Sequence, residues 1–494
     1  MSTPTAQPDA TQSSDAPRSK QSGASVADEA KGRLPAAVKY IVGNEACERF
    51  SFYGMSTILV PYMQQFLGWE RGRAEGVYHD FIGAAYAAAV LGGWLSDRFF
   101  GRYKTILWLS YGYVLGHAVL ASMDVLPDLR VGLLFVGLAL VAFGQAGIKP
   151  NLSAFVGDQF RKGQERLLDR VYSLFYFAIN VGSAASQMIT PWLLAGCALG
   201  ALKLCERSAV AWGFGVPGLL MALALVIYLA GRRLYVKVPP AGRDPNSFGA
   251  VLVTSVLSGE EEARRRHGEA AVEGMRSVFR IALIFLPIVA FWALYFQYGS
   301  SWFNQAEQMN RDVFGWHMES AQMEALNAIL ILILVPSFAY GVYPALERAG
   351  LKISLLHRMA AGMFLAVPAF LSAAMIQRWI ERGAHPHIAW QVIQYVLIAI
   401  AETLVSVTAL EFAYSQAPRA MKGTIMSLWF LTLGAGSFVT SLVTRNVTFA
   451  ARSGYFFFWA LLMFAGAVIF AVAVALYKPV AFVAASEAVP PTGA

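Results

Sequence analysis

Asn44-Glu45-Ala46-Cys47-Glu48-Arg49-Phe50-Ser51-Phe52-Tyr53-Gly54 puts three charges inside an apolar run long enough to cross a bilayer. Each such charge near the centre of a spanning helix costs roughly 2.5 to 3.5 kcal/mol, so three offset much of what the surrounding apolar residues contribute. At helical spacing Glu45, Glu48 and Arg49 stand at i, i+3 and i+4, and Tyr53 follows one turn later. One face therefore carries acid, acid, base and phenol in a continuous stripe. It cannot face hydrocarbon, so it points into protein or a watery cavity and marks a functional site.

The chain around it has 494 residues, 57% of them apolar and only 14% charged. With many apolar runs of about twenty residues, this composition implies an all-α polytopic membrane protein. The net charge of +8 comes from Lys and Arg in short connectors, where a membrane protein carries them, and nucleic-acid binding is excluded on that ground. Apolar runs place six spans between 39 and 230 and six more between 280 and 477, which makes 12 transmembrane helices in two six-helix bundles. The expected domains are a disordered cytoplasmic tail 1–36, a bundle 37–231, a linker 232–279, a second bundle 280–478 and a cytoplasmic tail 479–494. The linker carries Arg232, Arg233, Pro239, Pro240 and the charged run Glu260 to Arg266, and predicts an amphipathic surface helix near 259–276. Lys and Arg concentrate in connectors on the side of the N-terminus, so both termini and the linker are expected on the cytoplasmic face of a cell (inner) membrane. Cys197 and Cys205 flank a short connector on the other face and pair only if it meets an oxidising compartment.

Further polar residues stand out against the apolar background. After span two comes Gly92-Gly93-Trp94-Leu95-Ser96-Asp97-Arg98-Phe99-Phe100-Gly101-Arg102-Tyr103-Lys104, a tight basic turn. Gly92 and Gly93 permit close helix approach, and Asp97, at a helix C-terminus, calls for an arginine or another helix's N-terminus. Lys149, before Pro150 in span four, has Glu45 and Glu48 as its expected partners. Burial favours a protonated acid and a nearby ammonium the ionised one, so such a set couples proton uptake to movement. Tyr176 and Asn180 share one face of span five. Trp292, Tyr295, Gln297 and Tyr298 decorate span seven, Asn327 lies in span eight, and Glu402 and Ser406 are in span ten with Trp429 in span eleven. A basic pole at Arg49 and Lys149, an acidic pole at Glu402 and an aromatic lining suit a zwitterion such as a short peptide.

Glu45-x-x-Glu48-Arg49-Phe50 with Tyr53-Gly54, the Gly92 to Lys104 turn, the Phe175 to Gly182 segment and the Lys149-Pro150 to Phe160 stretch together resemble the proton-dependent oligopeptide transporter (POT) family of the major facilitator superfamily. The resemblance covers about residues 40–477 and implies a symporter of di- and tripeptides with protons, functional as a monomer in the lipid bilayer, without metal or cofactor and without enzymatic activity. It implies proton coupling by Glu45, Glu48, Arg49, Lys149 and His79. The implied substrate site is Arg49, Tyr53, Tyr86, Lys149, Tyr176, Asn180, Trp292, Asn327, Glu402, Ser406 and Trp429, with the peptide carboxylate at Arg49 and Lys149 and its ammonium at Glu402. The implied gating loop contains Asp97, Arg98, Gly101 and Arg102. His79 sits where animal members carry a coupling histidine, and Asp80 beside it favours its charged form; His117 reads as a helix-contact residue.

Three positions depart from the family pattern. Phe52 replaces a second tyrosine, Ser56 a second arginine and Phe296 a glutamate on span seven, so the outer end is expected to close by apolar or hydrogen-bonded contact. The linker also lacks the two extra helices of many bacterial members. Two alternatives stand beside peptide symport: a transporter of nitrate or another non-peptide solute, and a peptide receptor that moves nothing.

Overall fold

The computed structural model describes residues 34–160, 164–199, 202–203, 208–242, 244–351, 353–416 and 421–477. The expected tails, residues 1–33 and 479–494, and Cys205 lie outside these.

With no water in a bilayer core to satisfy backbone N–H and C=O groups, long apolar segments close their hydrogen bonds internally as helices. The first bundle contains α1 (Ala37–Gln65), α2 (Arg71–Leu95), α3 (Gly101–Ala121), α4 (Arg130–Ile148), α5 (Glu165–Leu194) and α6 (Ala209–Ala230). The linker forms α7 (Phe248–Ser258) and α8 (Glu260–His267). The second bundle follows as α9 (Glu269–Phe285), α10 (Ile288–Tyr295), α11 (Ser301–Ala306), α12 (Ala325–Ser337), α13 (Leu355–Glu381), α14 (Gln391–Glu402), α15 (Thr408–Ser415), α16 (Lys422–Asn446) and α17 (Arg452–Leu476). Among the described residues, eight helical stretches are apolar and long enough to cross a membrane, or nine with the pair Glu269–Phe285 and Ile288–Gly299, which bends by 48°. The stretch Arg71–Asp124 holds both α2 and α3, while α1 and α5 have the length but are less apolar, α1 carrying Glu45, Glu48 and Arg49.

The expected surface helix at 259–276 is corrected. The chain forms two short helices, α7 and α8, and residues 269–276 already belong to α9, which runs on into span seven. Gly259 and Gly268 break the run because both adopt positive φ, 87° and 84°, which a side chain would resist.

Two seams join the bundles: α2 runs against α16, and α5 against α12. Glycine sets the approach within the first bundle. A Cβ on Gly92 would lie 1.8 Å from the Ala146 carbonyl oxygen, so α2 and α4 touch backbone to backbone there. Gly93 does not share this role, since its Cβ would meet Pro150 at an ordinary 3.8 Å. The prediction is that Gly92→Leu costs about 3 kcal/mol or more of stability, whereas Gly93→Ala stays within about 1 kcal/mol of the parent. Thermal unfolding of the two variants in detergent checks it; similar melting temperatures would contradict the assigned contact.

Candidate functional site

Glu45, Glu48 and Arg49 are buried on α1, as their spacing requires. Arg49 Nε stands 3.0 Å from Glu45 Oε1 and 2.5 Å from Glu48 Oε2. Neither contact has hydrogen-bond angles, so the guanidinium holds both carboxylates by charge and proximity alone. The surrounding helices close over this triad. A Cβ on Gly182 of α5 would sit 2.5 Å from the Ala46 carbonyl, Asn44 Nδ2 donates to Ala224 O of α6 at 2.8 Å, and Ser51 Oγ meets His117 Nε2 of α3 at 2.7 Å. His117 is thus the helix contact its sequence position implied.

Lys149 departs from expectation. Its Nζ lies 3.4 Å above the centre of the Tyr86 ring and 5.3 Å from that of Phe52, with no carboxylate within ion-pair distance among the described residues and no hydrogen-bond partner. Arg49 already occupies both glutamates, and two cations cannot share them at close range without repulsion. The aromatic face supplies about 2 kcal/mol of cation–π attraction in a dry site. Lys149 is therefore a buried amine without a hydrogen bond among the described residues.

Between the bundles lies a cavity of about 410 Å³. Tyr53, Tyr176, Asn180, Asn327, Glu402 and Ser406 from the expected set all line it. Arg49, Tyr86, Lys149, Trp292 and Trp429 do not; Trp292 packs on the lining residue Tyr295 and on Phe296 and Trp429, at centroid distances of 5.2, 5.7 and 5.5 Å. Glu402 Oε2 accepts from Asn327 Nδ2 at 3.1 Å, which also donates to the Tyr295 hydroxyl at 3.1 Å. No cation pairs with Glu402 among the described residues. Immediately after Glu402 the helix widens into a π turn, Thr403–Val407, which presents Thr403, Ser406 and Val407 to the cavity. Tyr295 and Tyr298, noted on span seven, also line it, whereas Gln187 and Thr403 are lining residues that sequence reasoning missed, since nothing in their local spacing marks them.

At the end of the molecule remote from the linker, polar contacts join the bundles. Thr57 donates to Glu324 Oε2 at 2.9 Å, and His79 Nε2 meets Ser300 Oγ at 2.9 Å. Arg445 pairs with Asp80, and Arg452 with Glu75, which also accepts from Asn304 Nδ2 at 2.8 Å. Two expectations change here. Asp80 points to Arg445 rather than His79, and the closure is not limited to apolar and neutral contacts but includes buried charge at Glu75. Ser56 takes no part across the interface, donating to Tyr53 O in its own helix, and Phe296 lies against Tyr86 at 5.4 Å.

The turn after α2 is itself a π-helical segment, Ser96–Phe100. Gly101 follows at φ 73°, with the Val238 carbonyl 3.0 Å from where its Cβ would be, so only glycine fits. Arg102 pairs with Asp158 at 2.5 Å rather than with Asp97. Asp97 instead reaches the first turn of α16, where a Cβ on Gly423 would be 3.7 Å from its Oδ2, and a helix N-terminus attracts an anion. Arg98 lies 5.8 Å from the Phe99 ring centre. No cluster of three or more His, Cys, Asp or Glu among the described residues is placed to hold a metal.

Residues 103–270 and 258–459 match the profile of the POT family. Solute carrier family 15 member 1 of Mus musculus is 37% identical over 377 residues, which is 70% of this chain and 52% of that protein. The chain spans about half the length of the curated relatives it matches. An auto-inhibited POT family peptide transporter known from a crystal structure is 33% identical, with a TM-score of 0.82 over 91% of this chain and 98% of that one. The POT family transporter PepTSo, solved in meso, is 34% identical with a TM-score of 0.82 over 90% and 98% of the two chains. These likenesses carry the all-α, major-facilitator fold expected from the sequence.

Proposed function

The chain belongs to the POT family, and from that membership we propose that it is a proton-coupled symporter importing di- and tripeptides by alternating access. The observation that carries this reading is the cavity between the bundles: its volume of about 410 Å³ suits a small ligand, and its one charged lining group, Glu402, has no cation among the described residues. A peptide ammonium supplies that cation. The peptide's side chains then meet Tyr53, Tyr176, Tyr295 and Tyr298, whose rings accept varied shapes by burial rather than by directed bonds.

The carboxylate end is read toward Arg49 and Lys149. Tyr53 lines the cavity one turn from Arg49, and the unbonded Lys149 ammonium gains a charge-assisted partner when a carboxylate reaches it. Once that carboxylate competes for Arg49, Glu45 or Glu48 loses the one cation paired with it among the described residues, and a proton neutralises the acid left behind. Proton and peptide are then carried together. Each proton contributes about 2.3 kcal/mol per 100 mV of membrane potential. Members of this family are transporters, not enzymes.

In this reading, twelve spans place both termini and the linker in the cytoplasm of a cell (inner) membrane and the Glu75 end outside. Cys197, just past α5 at that end, is disulfide-bonded, which fits an oxidising compartment.

Purified protein in proteoliposomes tests the proposal: a labelled dipeptide accumulates against its gradient when the proton gradient points inward. No accumulation would overturn peptide symport, and competition by nitrate but not by dipeptides would favour the non-peptide alternative. Two variants test the poles. Glu402→Ala weakens binding of free-amine peptides by about tenfold or more while changing N-blocked peptides by less than about twofold; equal losses would contradict the ammonium site. Lys149→Gln abolishes concentrative uptake yet leaves peptide exchange, and full gradient-driven uptake would remove Lys149 from coupling.

A further inference from the structure

We propose that Glu75 and Arg452, braced by Asn304, form the latch that holds the two bundles together at the end remote from the linker, and that opening this end requires that one ion pair to part. The inference rests on the alternating-access reading above for its role, but not for its test.

Glu75 lies in the first turns of α2 and Arg452 is the first residue of α17, so the pair bridges the bundles across 377 positions of sequence. The Glu75 side chain is fully buried and that of Arg452 is 21% exposed. One oxygen, Oε1, receives both Arg452 Nη2 and Asn304 Nδ2, so three helices, α2, α11 and α17, meet at a single atom. The guanidinium also rests 4.1 Å from the centre of the Tyr455 ring, which fixes its plane. Arg71, one turn before Glu75, adds a second positive field to the same carboxylate. The contact is close on its far side as well: Ser441 of α16 donates to Gly76 O at 3.0 Å, and a Cβ on Gly76 would strike the Arg445 side chain.

A buried carboxylate cannot keep its charge after its arginine leaves unless water replaces it. Separation of the bundles at this end supplies that water, so the pair has two stable conditions, dry and joined or wet and apart. Intermediate separations satisfy neither ion. The other contacts at this end lack that property. Asp80 and Arg445 are 42% and 39% exposed and are already screened. Thr57 with Glu324 and His79 with Ser300 each include a neutral hydroxyl. Ser56 and Phe296 carry no charge across the interface at all. The charge that holds this end shut has moved to α2 and α17.

The test is a distance measurement on the full chain without substrate. Spin labels at Val125→Cys and Phe314→Cys, 77% and 106% exposed on connectors of the two bundles at this end, report opening in a background with Cys47 replaced. Glu75→Gln and Arg452→Gln are each expected to lower the ratio of short to long distances by about tenfold or more, and the exchange Glu75→Arg with Arg452→Glu to restore the short distance. Unchanged distances in both single variants would overturn the latch, as would an exchange variant that stays long. A lowered melting temperature with the short distance retained makes the pair a packing contact and likewise overturns it. Because no peptide is present, a distance shift combined with failed peptide uptake would sink the transport reading and leave the latch standing.

Discussion

Arg49, held between Glu45 and Glu48 inside α1, is the interaction on which the rest of the first bundle depends. Three charges buried in one turn and a half of helix are tolerable only if protein encloses every side of them. The enclosure is visible residue by residue: α5 meets Ala46 through Gly182, α6 takes the Asn44 amide, and α3 supplies His117 to Ser51. Lys149 is excluded from the triad by the same charge balance and rests on Tyr86. The site thus has one base in ion pairs and one that has neither an ion pair nor a hydrogen bond among the described residues.

That asymmetry links the triad to the cavity. Among the described residues, Glu402, across the interface, has no cation beside it, and Lys149 has no hydrogen-bond partner. In the proposed reading, a zwitterion lying between them relieves both. Tyr86, on which Lys149 rests, packs on Phe296, and Phe296 on Trp292, so the groups next to that ammonium are uncharged rings. The π turn at Thr403–Val407 serves the same end, since its wider coil brings Ser406 and Thr403 to the cavity beside Glu402.

The first-helix stripe was legible because its meaning is local: Glu45, Glu48 and Arg49 are neighbours on one helix face whatever surrounds them. Glu402 and Asn327 were legible because a lone polar group in an apolar span must turn inward. What could not be read depends on partners distant in sequence. Glu75 and Arg452 look like ordinary charges at helix ends, and only the fold makes them buried and adjacent. Lys149 was matched to the wrong partner because sequence gives the inventory of charges but not the distances that decide between them. The surface helix was misplaced because Gly259 and Gly268 cut a run whose charge pattern reads as continuous.

The central claim is that the charge held by Arg49 is exchanged between protons and peptide. It is tested most directly by comparing two assays on Glu48→Gln in proteoliposomes: exchange of labelled dipeptide across the membrane at equal pH, and its accumulation under an inward proton gradient. The account predicts exchange at near the parent rate with accumulation lost, because the variant still binds peptide but has surrendered the acid that takes the proton. Accumulation at the parent level in this variant, and again in Glu45→Gln, would contradict it.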